Sequence, residues 1–131
     1  MSLAYVDSSC FVSIAFDEPG AAQLLARLSR YDKLISSNLL EAEYRASLAR
    51  ENVVGRVRNL LSWVTWVHPK RRLTRELDQI LEVCRPPKGS DLWHLACALY
   101  LRNDWKLQGF SFLSLDDQQS KGAQALGMKG L

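Results

Sequence analysis

The sequence predicts an α/β protein with a central, mostly parallel sheet, and three observations carry that expectation. Four short apolar runs have strand length: "LAYV" (3–6), "KLIS" (33–36), "VTWV" (64–67) and "FSFLSL" (110–115). Longer segments with apolar residues at helical spacing separate them. Parallel neighbours require crossover connections, which strands alternating with helices supply. At 131 residues without a repeat or linker, the chain is expected to be one domain, residues 1–131.

The elements follow in order. After "LAYV", the residues "DSS" open a helix that continues through "CFVSIAF". Asp17 is the expected N-cap of the next helix, with Pro19 in its first turn and "AAQLLARLSRY" as its body. "KLIS" follows, then a helix from about Asn38 to Arg50 with Leu39, Leu40, Ala42, Ala46 and Leu48 on its apolar side. A further helix is expected over 53–63, carrying Val53, Val57, Leu60 and Leu61 on one face. "VTWV" ends at His68-Pro69, and a helix over 73–84 aligns Leu73, Leu77, Ile80, Leu81 and Cys84. "PPKGS" (86–90) reads as a loop and "DLWHLACALYLR" (91–102) as a helix. The strand over 110–115 precedes a last helix expected to end at Gly127.

Composition narrows the function classes. The chain is 47% hydrophobic and 24% charged, as a soluble globular protein would be. No apolar run approaches the roughly 18 residues of a membrane span, and no basic-then-apolar secretory pattern opens the chain. The expectation is therefore a cytoplasmic protein. Cys10, Cys84 and Cys97 are odd in number, widely spaced and flanked by apolar residues, so buried reduced thiols are expected rather than a zinc site. The net charge of +3 is mild, but "KRR" (70–72) and "RPPK" (85–88) are local basic clusters, with Arg45, Arg50, Arg56 and Arg58 in helical stretches. These are solvated faces or phosphate contacts. Trp63, Trp66 and Trp93 fall in apolar stretches and read as core or dimer-interface residues, while Trp105, in "NDWKLQG", is the tryptophan expected to be exposed.

In open α/β sheets, ligands bind beyond the carboxyl ends of the strands. Asp7 and Asp116 each follow a predicted strand, so both belong at that rim. Each also has a local role open to it: Asp7 as cap of the helix at Ser8, and Asp116 in a relaxed capping box with Gln119. Asp91, at the start of a helix, complements the macrodipole. Glu41 and Glu43 stand about 200° apart on their helix, so they cannot share a face. Glu41 would occupy the third helical position behind an Asn38 cap, whereas Glu43 has no such local role and is the preferred functional carboxylate. Four carboxylates at one rim would be costly without a cation, and Mg²⁺ or Mn²⁺ is the natural occupant for an all-oxygen ligand set. A metal so held can polarise a phosphodiester and lower the pKa of an attacking water.

"YVDSSCFVSIAF", "ISSNLLEAEYRASL", "GSDLWHLACAL" and "FLSLDDQQSKGAQALGM" resemble, in order and spacing, the four acidic motifs of PIN-domain nucleases. The matching pairs are Asp7 with Ser9, Ser37 with Glu43, Asp91 with Ala96, and Ser114 with Asp116. The resemblance covers nearly the whole chain. It implies a three-layer α/β/α fold and divalent-metal-dependent cleavage of phosphodiester bonds, usually in RNA. It further implies that Asp7, Glu43, Asp91 and Asp116 hold Mg²⁺ or Mn²⁺ directly or through waters. Ser9 would orient Asp7 and Ser114 would support Asp116, where serine replaces the commoner threonine. At this length the chain looks most like a VapC-type toxin of a toxin–antitoxin pair, which implies a homodimer and a small antitoxin that occludes the acidic site. The alternative is a catalytically silent PIN-like module that binds RNA or a protein.

Two side chains stay open on sequence alone. Asp117 should point about 100° away from Asp116, either stabilising the helix start or lending charge to the outer shell of the metal. His94 lies three residues after Asp91, as a packed histidine or a support near substrate.

Overall fold

The computed structural model describes residues 1–52, 59–86 and 88–131. A four-stranded sheet runs through it, with every described pairing parallel and the order β3-β2-β1-β4. The strands are β1 (Leu3–Val6), β2 (Lys33–Ser37), β3 (Val64–Val67) and β4 (Ser111–Leu113). Six helices are described: α1 (Ser8–Ala15), α2 (Ala21–Leu28), α3 (Leu39–Arg50), α4 (Thr74–Val83), α5 (Gly89–Asn103) and α6 (Asp117–Ala125). The α/β expectation therefore holds, and so does the three-layer arrangement.

Period-two alternation along the strands divides the core. Ala4, Val6, Leu34, Val64 and Leu113 face one layer, where they pack with Phe11 of α1, Leu28 of α2 and Tyr44 of α3. Tyr5, Ile35, Val67 and Phe112 face the other, against Ile80 of α4, Leu95 and Leu99 of α5 and Ala123 of α6. Helix α5 is buried continuously from His94 to Leu101. Helix α6 approaches α5 closely at Gly122, where an added Cβ would lie 3.2 Å from the Leu95 side chain and 3.3 Å from Cys84 Sγ. All three cysteines are free thiols, Cys10 and Cys97 buried and Cys84 half-buried.

Several local expectations need correction. Asp17 does not cap α2. It adopts a left-handed backbone (φ 52), and the cap position is Gly20, also left-handed (φ 89). Aspartate tolerates that region better than most residues, so the sequence "DEPG" forms a two-step turn rather than a helix start. Asn38 occupies the cap of α3, but its side chain makes no capping bond. Ser37 Oγ accepts from the Leu39 N–H instead (3.3 Å). Most of the helix expected over 53–63 lies outside the described residues, as do Arg56 and Arg58; Leu60–Trp63 form a 3-10 turn. Helix α5 begins two residues early, and β4 is half the expected length.

Strand order places the site. From β1 the chain steps outward through β2 to β3, then returns across the sheet to β4 on the other side of β1. The order reverses between β1 and β4, and their carboxyl ends open onto the crevice where such sheets bind ligands.

Candidate active site

Asp7 and Asp116 stand at that reversal point. The Asp7 N–H donates to Leu113 O (3.2 Å), extending the β1–β4 pairing one step past the strands and fixing the aspartate at the rim. Its carboxylate then caps α1, with Oδ1 accepting from the Ser9 N–H (3.0 Å) and from the Ser9 hydroxyl. Ser9 Oγ also accepts from the Leu115 N–H (2.9 Å), so one hydroxyl ties the start of α1 to the segment after β4. Ser114 Oγ lies 3.4 Å from Ser9 Oγ and accepts from the Asp116 N–H (3.0 Å). Asp116 caps α6 by accepting from the Gln119 N–H (2.9 Å). The local capping roles open to Asp7 and Asp116 are thus realised, each engaging one carboxylate oxygen, Oδ1. Capping itself turns each aspartate toward the rim.

Asp91 enters from the first turn of α5. Gln119, only 1% exposed, donates through Nε2 to Asp91 O (2.9 Å) and so joins the start of α5 to the start of α6. Glu43 comes from the second turn of α3, and its Oε1 is 2.6 Å from His94 Nε2. Glu41 turns elsewhere: it pairs with Arg45 on the surface (2.7 Å) and does not reach back to cap α3. Asp117, the first residue of α6, is exposed beside the rim.

The electrostatics show carboxylates gathered with only partial compensation. Asp7 is 5% exposed, and burial pushes its carboxyl above the usual range against the stabilising bonds from Ser114 and Ser9. Burial also raises Asp91, and the charges of Asp116 and Glu43 push the same way, while Lys88 and His94 oppose them. Asp91, Asp116 and Glu43 therefore share one field, with Lys88 at its edge. Among the described residues, no group of three or more His, Cys, Asp or Glu side chains is drawn close enough to clasp a metal ion. The donor chemistry nonetheless fits a hard divalent cation: the rim offers carboxylate oxygens in a strained excess of negative charge. The buried Gln119 Oε1 has no partner among the described residues, although it lies between the Asp91 and Asp116 segments, where a water would satisfy it.

Comparison with known protein families decides the relationship. The family model for the PIN domain matches residues 4–125, spanning all four strands and all six described helices. The chain belongs to the PIN-domain family. PIN domains are typically nucleases, act on nucleic acid and generally use divalent metals. Comparison with curated proteins finds no match. The PIN match supplies a framework that is typically that of a nuclease.

Three features of this PIN domain escaped the sequence reading. Tyr5 joins the site region: its hydroxyl is 2.7 Å from His94 Nδ1. Nothing in "LAYV" marks it, since its partner lies 89 positions away. The basic cluster at 70–72 is partly structural, because Arg71 binds Glu76 through two nitrogens (3.1 and 2.7 Å) and Asp104 through two more contacts (3.0 and 2.8 Å). Trp63 is not a core residue; at 41% exposed it matches Trp105 at 42%. Trp66 and Trp93 pack against opposite layers of the core.

Proposed function

We propose that this PIN domain is a divalent-metal-dependent endoribonuclease acting as the toxin of a VapC-type toxin–antitoxin pair in the cytoplasm. The observation that carries the catalytic part is the acidic rim at the strand-order reversal, where burial raises Asp7 and Asp91 and the charges of Asp116 and Glu43 raise Asp91 further. In this reading Asp7, Glu43, Asp91 and Asp116 would hold Mg²⁺ or Mn²⁺, directly or through water. A cation bound there would lower the pKa of a water and offset the negative charge of the scissile phosphodiester.

The remaining work falls to the chain itself. Ser9 holds Asp7 and anchors the segment after β4, while Ser114 fixes the Asp116 backbone. Lys88 stands exposed at the edge of the rim and would meet a phosphate of the RNA strand, the one cation of "RPPK" with a charge felt by Asp91. Asp117 would add outer charge. The whole chain would act as one domain and pair as a homodimer, and a small antitoxin carrying a cationic side chain would neutralise and cover the rim. The charge excess that attracts a metal would equally attract such a group.

A second reading has one observation behind it. Glu43 is turned onto His94, and no three described ligands converge, as a silent PIN-like module that binds RNA or protein would allow. Cleavage assays separate the two. Defined RNA should be cut with Mg²⁺ or Mn²⁺, spared with EDTA, and spared by Asp7→Asn and Asp116→Asn. Chelator-insensitive cutting, or full activity in both variants, overturns the metal site. RNA binding without cleavage under either ion establishes the second reading.

A further inference from the structure

Behind the acidic rim, three side chains from three elements form a hydrogen-bonded train. The Ser37 N–H at the end of β2 donates to Tyr5 Oη (3.3 Å), Tyr5 Oη lies 2.7 Å from His94 Nδ1, and His94 Nε2 lies 2.6 Å from Glu43 Oε1. Tyr5 is fully buried and His94 almost so, whereas the Glu43 side chain is a quarter exposed. The train runs from the core outward and ends on a carboxylate at the surface.

We infer that Tyr5 and His94 are positioning residues that hold Glu43 toward the rim by fixing the orientation of the imidazole. This rests on the metal-dependent reading above.

Proton placement follows from counting donors. Tyr5 Oη accepts from the Ser37 N–H, and its shortest contact is His94 Nδ1, with the side chains of Ser37, Ser36 and Cys97 also within its reach. A buried hydroxyl needs an acceptor for its proton, and the imidazole nitrogen 2.7 Å away is the nearest one. In the proposed train Tyr5 donates to Nδ1, which is then the bare nitrogen of the ring. The imidazole then carries its proton on Nε2 and donates it to Glu43 Oε1. Glu43 is held through one oxygen, and Oε2 has no described protein partner. Imidazole–carboxylate contacts of this kind commonly orient metal-binding groups, and their loss costs about 10–100-fold in metal affinity or activity.

The arrangement also accounts for why the ring does not reorient. Tyr5 stacks on Phe112 (centroids 5.2 Å apart, planes 7° apart) and meets the His94 ring edge-on (5.7 Å, 69°). The phenol is clamped between β4 and α5, so its hydroxyl has a fixed position. His94 falls three residues after Asp91 on α5, and one helix turn thus carries a rim carboxylate and the holder of another.

Amide isosteres test this against a purely structural role. In His94→Gln the amide N–H₂ can reach the place of Nε2 and donate to Glu43; in His94→Asn the shorter amide stays near Nδ1 and cannot. Mn²⁺ affinity, read from the free-ion EPR signal, should fall about tenfold or more in His94→Asn and stay within about threefold of wild type in His94→Gln. Nitrogen-15 NMR of the metal-free wild type should show Nδ1 as the bare nitrogen and Nε2 as the protonated one. Tyr5→Phe, which keeps the ring stack, should lose that fixed tautomer and share the affinity loss.

Equal Mn²⁺ affinity in wild type, His94→Asn and Tyr5→Phe would overturn the inference, as would an Nδ1–H tautomer. Equal losses in folded His94→Asn and His94→Gln would also overturn it, because packing alone would then explain both. The underlying nuclease reading fails separately, by cleavage that survives Asp7→Asn and Asp116→Asn.

Discussion

Two carboxylate clusters in this molecule have opposite electrostatics. Glu76 on α4 is completely buried, yet Arg71 grips both its oxygens, Asn103 Nδ2 donates to Oε2 (2.8 Å), and its pKa is held down at about 2. Arg71 also binds Asp104 and lies over the Tyr100 ring, 5.4 Å from its centroid, so one guanidinium ties α4 to α5. At the rim, Asp7 is buried and Asp91 partly so, and burial raises both, with Asp116 and Glu43 adding to Asp91 against the partial opposition of Lys88 and His94. A carboxylate buried for stability brings its cation with it, whereas a carboxylate kept for chemistry leaves that place open. The distinction comes from compensation, since burial alone would have ranked Glu76 above Asp91.

The largest expected difference lies in activity. Asp7→Asn should lower RNA cleavage by about a thousandfold while leaving the thermal midpoint unchanged or higher, because it removes a charge that burial has stripped of water. Activity assays and calorimetry on one preparation check both halves. A large loss of stability would move Asp7 into the structural class. Glu76→Gln should do the reverse. It strands Arg71 and should cost about 3 kcal/mol in urea denaturation, with cleavage by the remaining folded protein intact.

Acid unfolding sharpens the contrast. A free glutamate titrates near 4.3, roughly, and Glu76 near 2 in the fold, so its stabilising contribution is complete above about 4.3 and is lost as pH falls toward 2. Wild type should therefore lose stability across that window, and Glu76→Gln should lose less of it. Asp91 has the opposite sign: its raised pKa means that ionisation costs stability at neutral pH. Asp91→Asn should accordingly melt at or above the wild-type temperature. Saturating Mn²⁺, by neutralising the rim, should raise the wild-type midpoint and leave that of Asp91→Asn nearly unmoved.

Much of this was legible in the sequence because it is local. The four apolar runs gave four strands in place, since a parallel strand buried on both faces needs a continuous apolar stretch. Asp7 and Asp116 were placed at the rim by their position after strands, and the same position makes them helix caps. What escaped was set by distant partners. Tyr5 gains its meaning from His94, and Arg71 loses its apparent freedom to Glu76 and Asp104. Trp63 looked apolar by its neighbours, but the 3-10 turn at Leu60–Trp63 buries Leu60 and leaves the indole out. Asp17 read as a cap because its sequence context was right, yet the turn ran on to Gly20 before α2 could begin.

The smallest expected effect separates the adjacent aspartates. Asp116 spends one oxygen on the Gln119 N–H and takes a fixed backbone position from Ser114, whereas Asp117 is exposed in the first turn of α6 with no described side-chain partner. Asp117→Asn removes a favourable interaction with the helix N-terminus of about 0.5 kcal/mol and some outer charge. It should reduce cleavage only a few-fold, by an amount that shrinks as salt screens the rim. Asp116→Asn should cost far more and keep its cost at high salt, because a ligand lost from the centre is not screened from outside. Equal losses in the two variants would mean that the rim works as a diffuse field of charge, and the separation between one compensated cluster and one poised for a cation would have to be redrawn residue by residue.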